Sequence, residues 1–524
     1  MTTRLVTADA VVTPRGRLGN AVLVEHDRVV AVGEFDDLSG DIVERHPGAV
    51  IVPGFRDAHL HPVGYTASLI RPSLKTAADF AELADIVAEA ATGQPKGSAI
   101  TALRLDDESL AEGRLPDRHL LDRVAPDRPV LVVRYCGHVA VANTVALELA
   151  GVDTATADPA GGVIDRDATG TPTGVLRETA VDPVAEAIRL LAPPVTSDDV
   201  VDAAHALAAT GLTGIGAMVS TDQGCWAGAG SELDVLMEAA PRLPIDVGVL
   251  VIARDHHELR RAAAAIEAAP GRLRFLGVKM FSDGSLGGHT AAMHHGFADR
   301  PDVLGTDRLD PEIARELATT SLDLGGRVAI HAIGDRANCA VLDVMDTLIH
   351  DGADPAHLRV EHASVLTDDD IARFGRLGVT ASVQPAFIAS ETEWLEKRLG
   401  PDRIESTYAF RSLTQAGAPL AGGSDSPVEP PHPLPGIATA RDRCGIVPGQ
   451  GLDAAEALEL FTTSAATAIA ADASLEPGST ASFTVIDRDP LVSTADEVRR
   501  ADVVATWVDG AAVPLADDVV TWQA

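Results

Sequence analysis

The sequence predicts an α/β protein. Its main body is a (β/α)8 TIM barrel, with a small β-sandwich formed by both ends of the chain and an α/β subdomain inserted after the first barrel strand. Three observations predict this. Short β-like runs separated by turn residues fill both the first and the last fifty residues. Buried apolar runs alternate with amphipathic helical stretches through the middle. Eight of those runs are found, the number that closes such a barrel.

The N-terminal runs are "RLVTADAVVTP" and "NAVLVEHDRVVAVGE", and the C-terminal ones are "ASFTVIDRDP" and "VVATWVDGAAVP". Together they assign residues 1–52 and 474–524 to one composite sandwich. Residues 53–473 form the barrel. The first barrel strand is the apolar run "AVIVPGF", which leads into His59 and His61. The others are "LTGIGAMV" (212–219), "IDVGVLVI" (245–252), "LRFLGVKMF" (273–281), "RVAIHAIG" (327–334), "LRVEHAS" (358–364), "VTASVQP" (379–385) and "PLAGGSD" (419–425). Near-continuous hydrophobicity marks strands buried on both faces. Helical stretches such as "DVVDAAHALAAT" and "PEIARELATTSLDLG" separate them. Residues 66–200, with their own strand "VLVVRYCG", form the inserted subdomain. Because they follow strand one directly, they emerge on the face where such barrels carry their active sites.

Composition narrows the function. The chain has 524 residues, 46% of them hydrophobic, enough for a large core. Its 42 basic and 77 acidic side chains give a formal net charge of −35, which argues against nucleic acid as a partner. The same acidity would suit a high-salt cytoplasm, and GC-rich coding produces it equally well. No apolar run is long enough to cross a bilayer, and the first residues lack a signal-peptide core, so a cytoplasmic protein without membrane attachment is expected. The four cysteines, Cys136, Cys225, Cys339 and Cys444, are far apart and form neither a disulfide frame nor a zinc knuckle. A homo-oligomer is compatible with this reading.

Polar residues recur at the C-terminal ends of the strands. In a strand, residues i and i+2 share a face, so His59 and His61 aim into one space. Two polar loop residues would look the same, so the rest of the chain decides. Strand four carries Lys279, strand five His331, strand six His362, and strand eight ends in Asp425. One buried histidine is commonly a satisfied core residue. Four histidines, a lysine and an aspartate at matching strand ends point to metal, because imidazole nitrogen and carboxylate oxygen both bind Zn²⁺. Lys279 is one of only four lysines, with Lys75, Lys96 and Lys397, in a chain that prefers arginine. Burial lowers a lysine's pKa, and the neutral amine can add CO₂ to form a carbamate, an anionic ligand able to bridge two metals.

This arrangement resembles the binuclear site of the amidohydrolase superfamily. Within it, the chain is similar to metal-dependent hydrolases of the N-substituted formamide deformylase-like branch (amidohydrolase 3 type). The resemblance extends over "GHVAVANTVAL", "GGVIDRDATGTPTGVLRE", "VKMFSDGSLGGHTAAM", "HAIGDRA", "EHASVL", the run from "RLGPDRIESTYAF" to "GGSDSPVEPPHPLPGI", and "PGSTASFTVIDRDP". It departs from the pattern at His289, where relatives often have arginine, and at "ASFTVID", where an "ADFVVLD"-like strand is usual. The resemblance implies two zinc ions, other divalent metals being compatible. His59, His61, Asp425 and carboxylated Lys279 would hold one ion. His331, His362 and the same bridge would hold the other. It also implies that a hydroxide between the metals attacks a small-molecule amide, with Asp425 as the catalytic proton acceptor and donor. The expected reaction is hydrolysis of a non-peptide C–N bond in an amide, N-formyl or N-acyl amine. Alternatives are a cyclic amide or an ester, or a non-catalytic metal-binding relative, which would be expected to have lost ligands.

Further candidates follow from position. His138 and Glu178 in the insertion, and His289 after strand four, are expected at the substrate. Asn143 is either a site residue or a helix start. Asp283 is placed to orient the strand-four loop, and Asp335 and Arg336 to support His331. His294 and His295 lie in the loop after strand four, where solvent is the expected surrounding for at least two of its three histidines. His256 and His257 belong to a charged surface helix.

Overall fold

The computed structural model describes residues 2–135, 137–159, 161–189, 191–221 and 231–514. Cys136, Cys225 and the end of the C-terminal β-rich segment, 515–524, lie outside these. Cys339 and Cys444 are free thiols. Eight parallel strands form the central sheet: β1 Phe55–Leu60, β2 Leu212–Ser220, β3 Asp246–Ile252, β4 Leu273–Phe281, β5 Arg327–Ala332, β6 Leu358–His362, β7 Thr380–Val383 and β8 Leu420–Gly422. They pair in chain order from β1 to β8. The fold is the (β/α)8 barrel that the sequence pattern predicts.

The barrel closes just beyond the ends of β1 and β8. The Asp425 N–H donates to the His59 carbonyl at 2.7 Å, and the His61 N–H to the Ser426 carbonyl at 2.8 Å. The buried Asp57 carboxylate accepts from the N–H groups of His59 at 2.9 Å and Ser424 at 3.0 Å. Gly423 permits this approach, since a Cβ there would stand 2.7 Å from the His59 nitrogen. Gly277, just before Lys279, allows a similar approach: a Cβ there would meet the Arg327 carbonyl of β5 at 2.0 Å.

Both ends of the chain meet in one seven-stranded sheet. Strands Thr3–Thr13, Gly16–Glu25, Arg28–Gly33 and Ile42–Pro53 join Phe483–Ile486, Val503–Val508 and Ala511–Ala512. The sheet curls on itself, and Val29 exchanges backbone hydrogen bonds with Ser479 and Gly478. Phe483 stacks on Trp507 inside it, with ring centroids 5.2 Å apart. Thr484 and Thr506 each donate a hydroxyl at 2.7 Å to a carbonyl before β2, Gly211 and Ala208. The sheet therefore seals the N-terminal end of the barrel, away from the strand ends that carry the polar residues.

Between the helices Pro62–Ile70 and Ser197–Ala209 lies a five-stranded sheet. Its order is Ile100–Leu105, Val130–Arg134, Val139–Ala142, Pro172–Glu178, Gly162–Arg166. Leu83, Val87, Leu121, Val132 and Val141 form its own apolar core. Helix Ser197–Ala209 starts on a capping box in which Thr196 and Asp199 satisfy each other's backbone N–H. No helix among the described residues is long and apolar enough to cross a membrane.

Phe483 is fully buried, and truncating such a ring leaves a cavity. Phe483→Ala should cost about 3–5 kcal/mol of stability, read as a shift in the denaturant midpoint. A shift near zero would mean that the terminal sheet is not packed as described.

Candidate active site

The C-terminal ends of the barrel strands open into a cavity of about 690 Å³. His59, His61, Lys279, His331, His362 and Asp425 all line it. The ring centroids of His59 and His362 are 4.9 Å apart, and those of His331 and His362 are 4.5 Å apart. The structure thus brings six residues from β1, β4, β5, β6 and the end of β8 together.

Hydrogen bonds set which nitrogen each imidazole presents. His59 Nδ1 lies 2.6 Å from the Glu361 carboxylate, so Nδ1 carries the proton and Nε2 keeps its lone pair. That Nε2 stands 3.2 Å from Asp425 Oδ1, and His61 Nε2 stands 3.3 Å from the same oxygen. His362 Nδ1 donates to Gln384 Oε1 at 2.7 Å, which frees its Nε2. His331 Nε2 donates to the Gly284 carbonyl at 3.0 Å, which frees its Nδ1. His59, His61 and Asp425 offer ligand atoms within 4.8 Å of one another.

Burial drives the His331 and His362 imidazoles well below their ordinary pKa, and nearby Lys279 pushes both further down. Both shifts favour the neutral imidazole that metal binding requires. Burial also lowers His61. On His59 burial acts the same way but is outweighed by the Asp425 and Glu361 carboxylates, which raise it. Burial would raise Asp425, yet His59 and His61 hold it well below the usual carboxylate range, so it is an anion. Asp425 sits at φ +58° and His362 at φ +73°. Such backbone is costly for residues other than glycine, and it clusters at functional sites.

Lys279 is 1% exposed. Its Nζ has no hydrogen-bond acceptor among the described residues, and the Phe281 ring is 4.4 Å away. Burial lowers its pKa to about 8.

His138 and Glu178 also line the cavity, paired at 2.8 Å through His138 Nδ1 and Glu178 Oε2. His138, Arg308 and hydrogen bonds outweigh burial and bring Glu178 to about 2. His289 does not line this cavity. It borders a separate hollow, with Nε2 3.2 Å from Asp299. Asn143 caps the helix Thr144–Leu149. Asp283 accepts backbone N–H groups from Ala292, Ile333 and Gly334, tying the strand-four loop to the end of β5, and lies 3.2 Å from His331 Nε2. Asp335 and Arg336 do not reach His331. Asp335 accepts from the His294 N–H, and Arg336 pairs with Asp307. His294 and His295 are exposed, and His256 and His257 begin an outer helix.

Sequence reasoning missed the groups behind the cavity-lining histidines. Arg359 is fully buried on β6 and donates to Glu361 at 2.9 Å, to the Ala58 carbonyl at 2.8 Å and to Ser382 at 2.9 Å. The signal was "RVEH", with opposite charges two apart in a buried strand. Gln384, at the end of β7, carried no comparable signal.

The amidohydrolase family model matches residues 47–514. The chain belongs to the amidohydrolase family. It is 32% identical to YtcJ of Bacillus subtilis (strain 168) over 481 residues, covering 88% of each chain. It is 28% identical to the N-substituted formamide deformylase of Arthrobacter pascens over 528 residues, 95% of each chain. Among solved structures, a metal-dependent hydrolase from Pyrococcus horikoshii OT3 superposes with a TM-score of 0.74 at 29% identity, covering 94% of this chain and 99% of that one. This amidohydrolase-family chain is a hydrolase, and its His59–His61–Asp425 cluster is a possible metal site.

Glu361→Gln keeps the shape at His59 but weakens the charge behind it. Divalent metal affinity should fall about 10–100-fold, measured by chelator competition. Equal affinity in both proteins would remove Glu361 from the site.

Glu391 lines the same cavity, and burial raises its pKa to about 8. The folded state then holds a proton that the unfolded chain releases above the ordinary 4.5. This contribution to stability is full below about 4.5 and is lost as pH rises through about 8. Glu391→Gln should flatten the fall of unfolding free energy between pH 5 and pH 8. Parallel pH profiles for the two proteins would contradict this.

Proposed function

We propose that this hydrolase cleaves a non-peptide C–N bond, that of an N-formyl or other N-acyl amine, and that its metal is zinc. One observation carries the reading. Imidazoles with one nitrogen each committed to a donor bond converge on an anionic Asp425 and on a buried lysine with no acceptor among the described residues. A buried ammonium without a partner is expensive, whereas a donor set of this kind suits divalent cations. The name of the Arthrobacter pascens relative supports the N-formyl amine class.

His59, His61 and Asp425 would hold one ion, and His331 and His362 a second. Lys279 would serve both as a carbamate, formed when its neutral amine adds to CO₂ and releases a proton. A metal bound there polarises the scissile carbonyl and makes hydroxide available near neutral pH. The chain's own residues do the rest. Glu361 and Gln384 lock the tautomers of His59 and His362. Asp425 Oδ1, between His59 and His61, takes the proton of the attacking water and returns it to the leaving amine nitrogen. The cavity walls, with His138 and Glu178 on the insertion side, orient the substrate.

The test joins metal analysis to a substrate panel. The protein should carry zinc and hydrolyse N-formyl or N-acyl amines in preference to cyclic amides and esters. Lys279→Ala and Lys279→Arg should both lose metal and activity, and short-chain carboxylates should partly restore Lys279→Ala. A Lys279→Arg protein with normal metal content and turnover would exclude the carbamate and favour a single-metal site on His59, His61 and Asp425.

A further inference from the structure

Building on that catalytic cavity, we propose that Arg308 is the anchor for a carboxylate on the substrate, so that the amide cleaved bears an acid group directed at the wall shared with the inserted subdomain. Arg308 follows β4, and its backbone N–H donates to the Ser282 carbonyl at 2.8 Å. Its guanidinium lines the cavity, 5.5 Å from the centroid of the Phe281 ring on which Lys279 Nζ also rests. The charge therefore shares the Phe281 ring with Lys279, one of the residues that would hold metal.

One of its donors is committed. Arg308 Nη1 donates to Glu178 Oε2 at 3.2 Å. Among the described residues, no other acceptor takes a side-chain N–H of Arg308, and its one ion pair is with Glu178. Asp182 lines the same wall and makes no ion pair with Arg308, although against the rise that burial causes the Arg308 charge draws its carboxyl down. A guanidinium carries five donors in a fork matched to carboxylate. The side chain is only 25% exposed, and the residue lines the cavity.

Glu178 is the brace. Its side chain is 1% exposed, its backbone is left-handed at φ +51°, and it also holds His138 Nδ1 at 2.8 Å. One buried acid thus fixes two donors from different segments, the insertion and the loop after β4. Its charge is shared between them, so a substrate carboxylate would take the guanidinium donors that Glu178 leaves, in a poorly solvated wall.

Two substrates that differ only by the carboxylate test this: N-formylphenylalanine and N-formylphenethylamine, with the full-length zinc-loaded protein. Arg308→Met should lose about 10–100-fold more kcat/KM on the acid than on the uncharged amide, chiefly through KM, with metal content retained. Arg308→Lys should recover some of that difference, since charge returns without the fork. Equal losses on both substrates would overturn the proposal and make Arg308 a prop for Glu178. If wild-type protein cleaves neither compound, the proposed reaction is at fault, and equilibrium binding of the same pair still decides the subsite. A preference for the acid that Arg308→Met abolishes supports the proposal, and no preference in the wild type overturns it.

Discussion

Closure of the barrel between β1 and β8 is the constraint on which the site depends. The two strands meet through the Asp425 N–H, the Ser426 carbonyl and the Asp57 carboxylate, so the chain's first and last barrel elements share one edge. That edge holds the two histidines and the aspartate within ligand distance, though 364 positions separate His61 from Asp425. Asp57 shows how tightly this is built. It is a fully buried carboxyl, raised to about 6 by burial, and its acceptors are spent on backbone N–H groups at the seam. Such a group costs free energy unless its bonds are made, so the seam is specific in its register.

A second buried layer carries the fixed charge. Arg359 and Glu361 lie side by side inside the barrel, and Glu361 meets His59. Arg359 also reaches the Ala58 carbonyl on β1 and Ser382 on β7. Hydrogen bonds thus connect a guanidinium to a carboxylate and that carboxylate to an imidazole. Replacing the pair by apolar residues would be easier on stability. The position of the pair behind His59 fits a role in holding that ring in one tautomer.

Much of this was legible in the sequence. Barrel strands could be read because each is buried on both faces, which produces apolar runs such as "IDVGVLVI". The cavity-lining histidines, Lys279 and Asp425 stood out as polar residues at the ends of such runs. What could not be read depends on contacts distant in the chain. Glu361 serves His59 across the barrel, 302 residues away. Arg308 lies in a polar loop, and only the cavity distinguishes it from a surface arginine. His289 shows the converse. It shares a loop with Arg308, but that loop turns its ring toward Asp299 instead of the cavity.

The site has two regions of different origin, and their physics differ. The floor comes from strand ends inside a closed barrel, where His59, His331 and His362 are each held by a buried hydrogen-bond partner. The wall carrying His138 and Glu178 comes from a separate sheet with its own core, which meets the barrel at the loop holding Arg308. The two regions touch at His138, whose ring centroid lies 6.0 Å from that of His331, while the seam between β1 and β8 is made by Asp57, His59, His61 and the segment 424–426. The barrel supplies the histidines, Lys279 and Asp425, and the insertion supplies the wall with His138 and Glu178, on which the proposed selectivity rests.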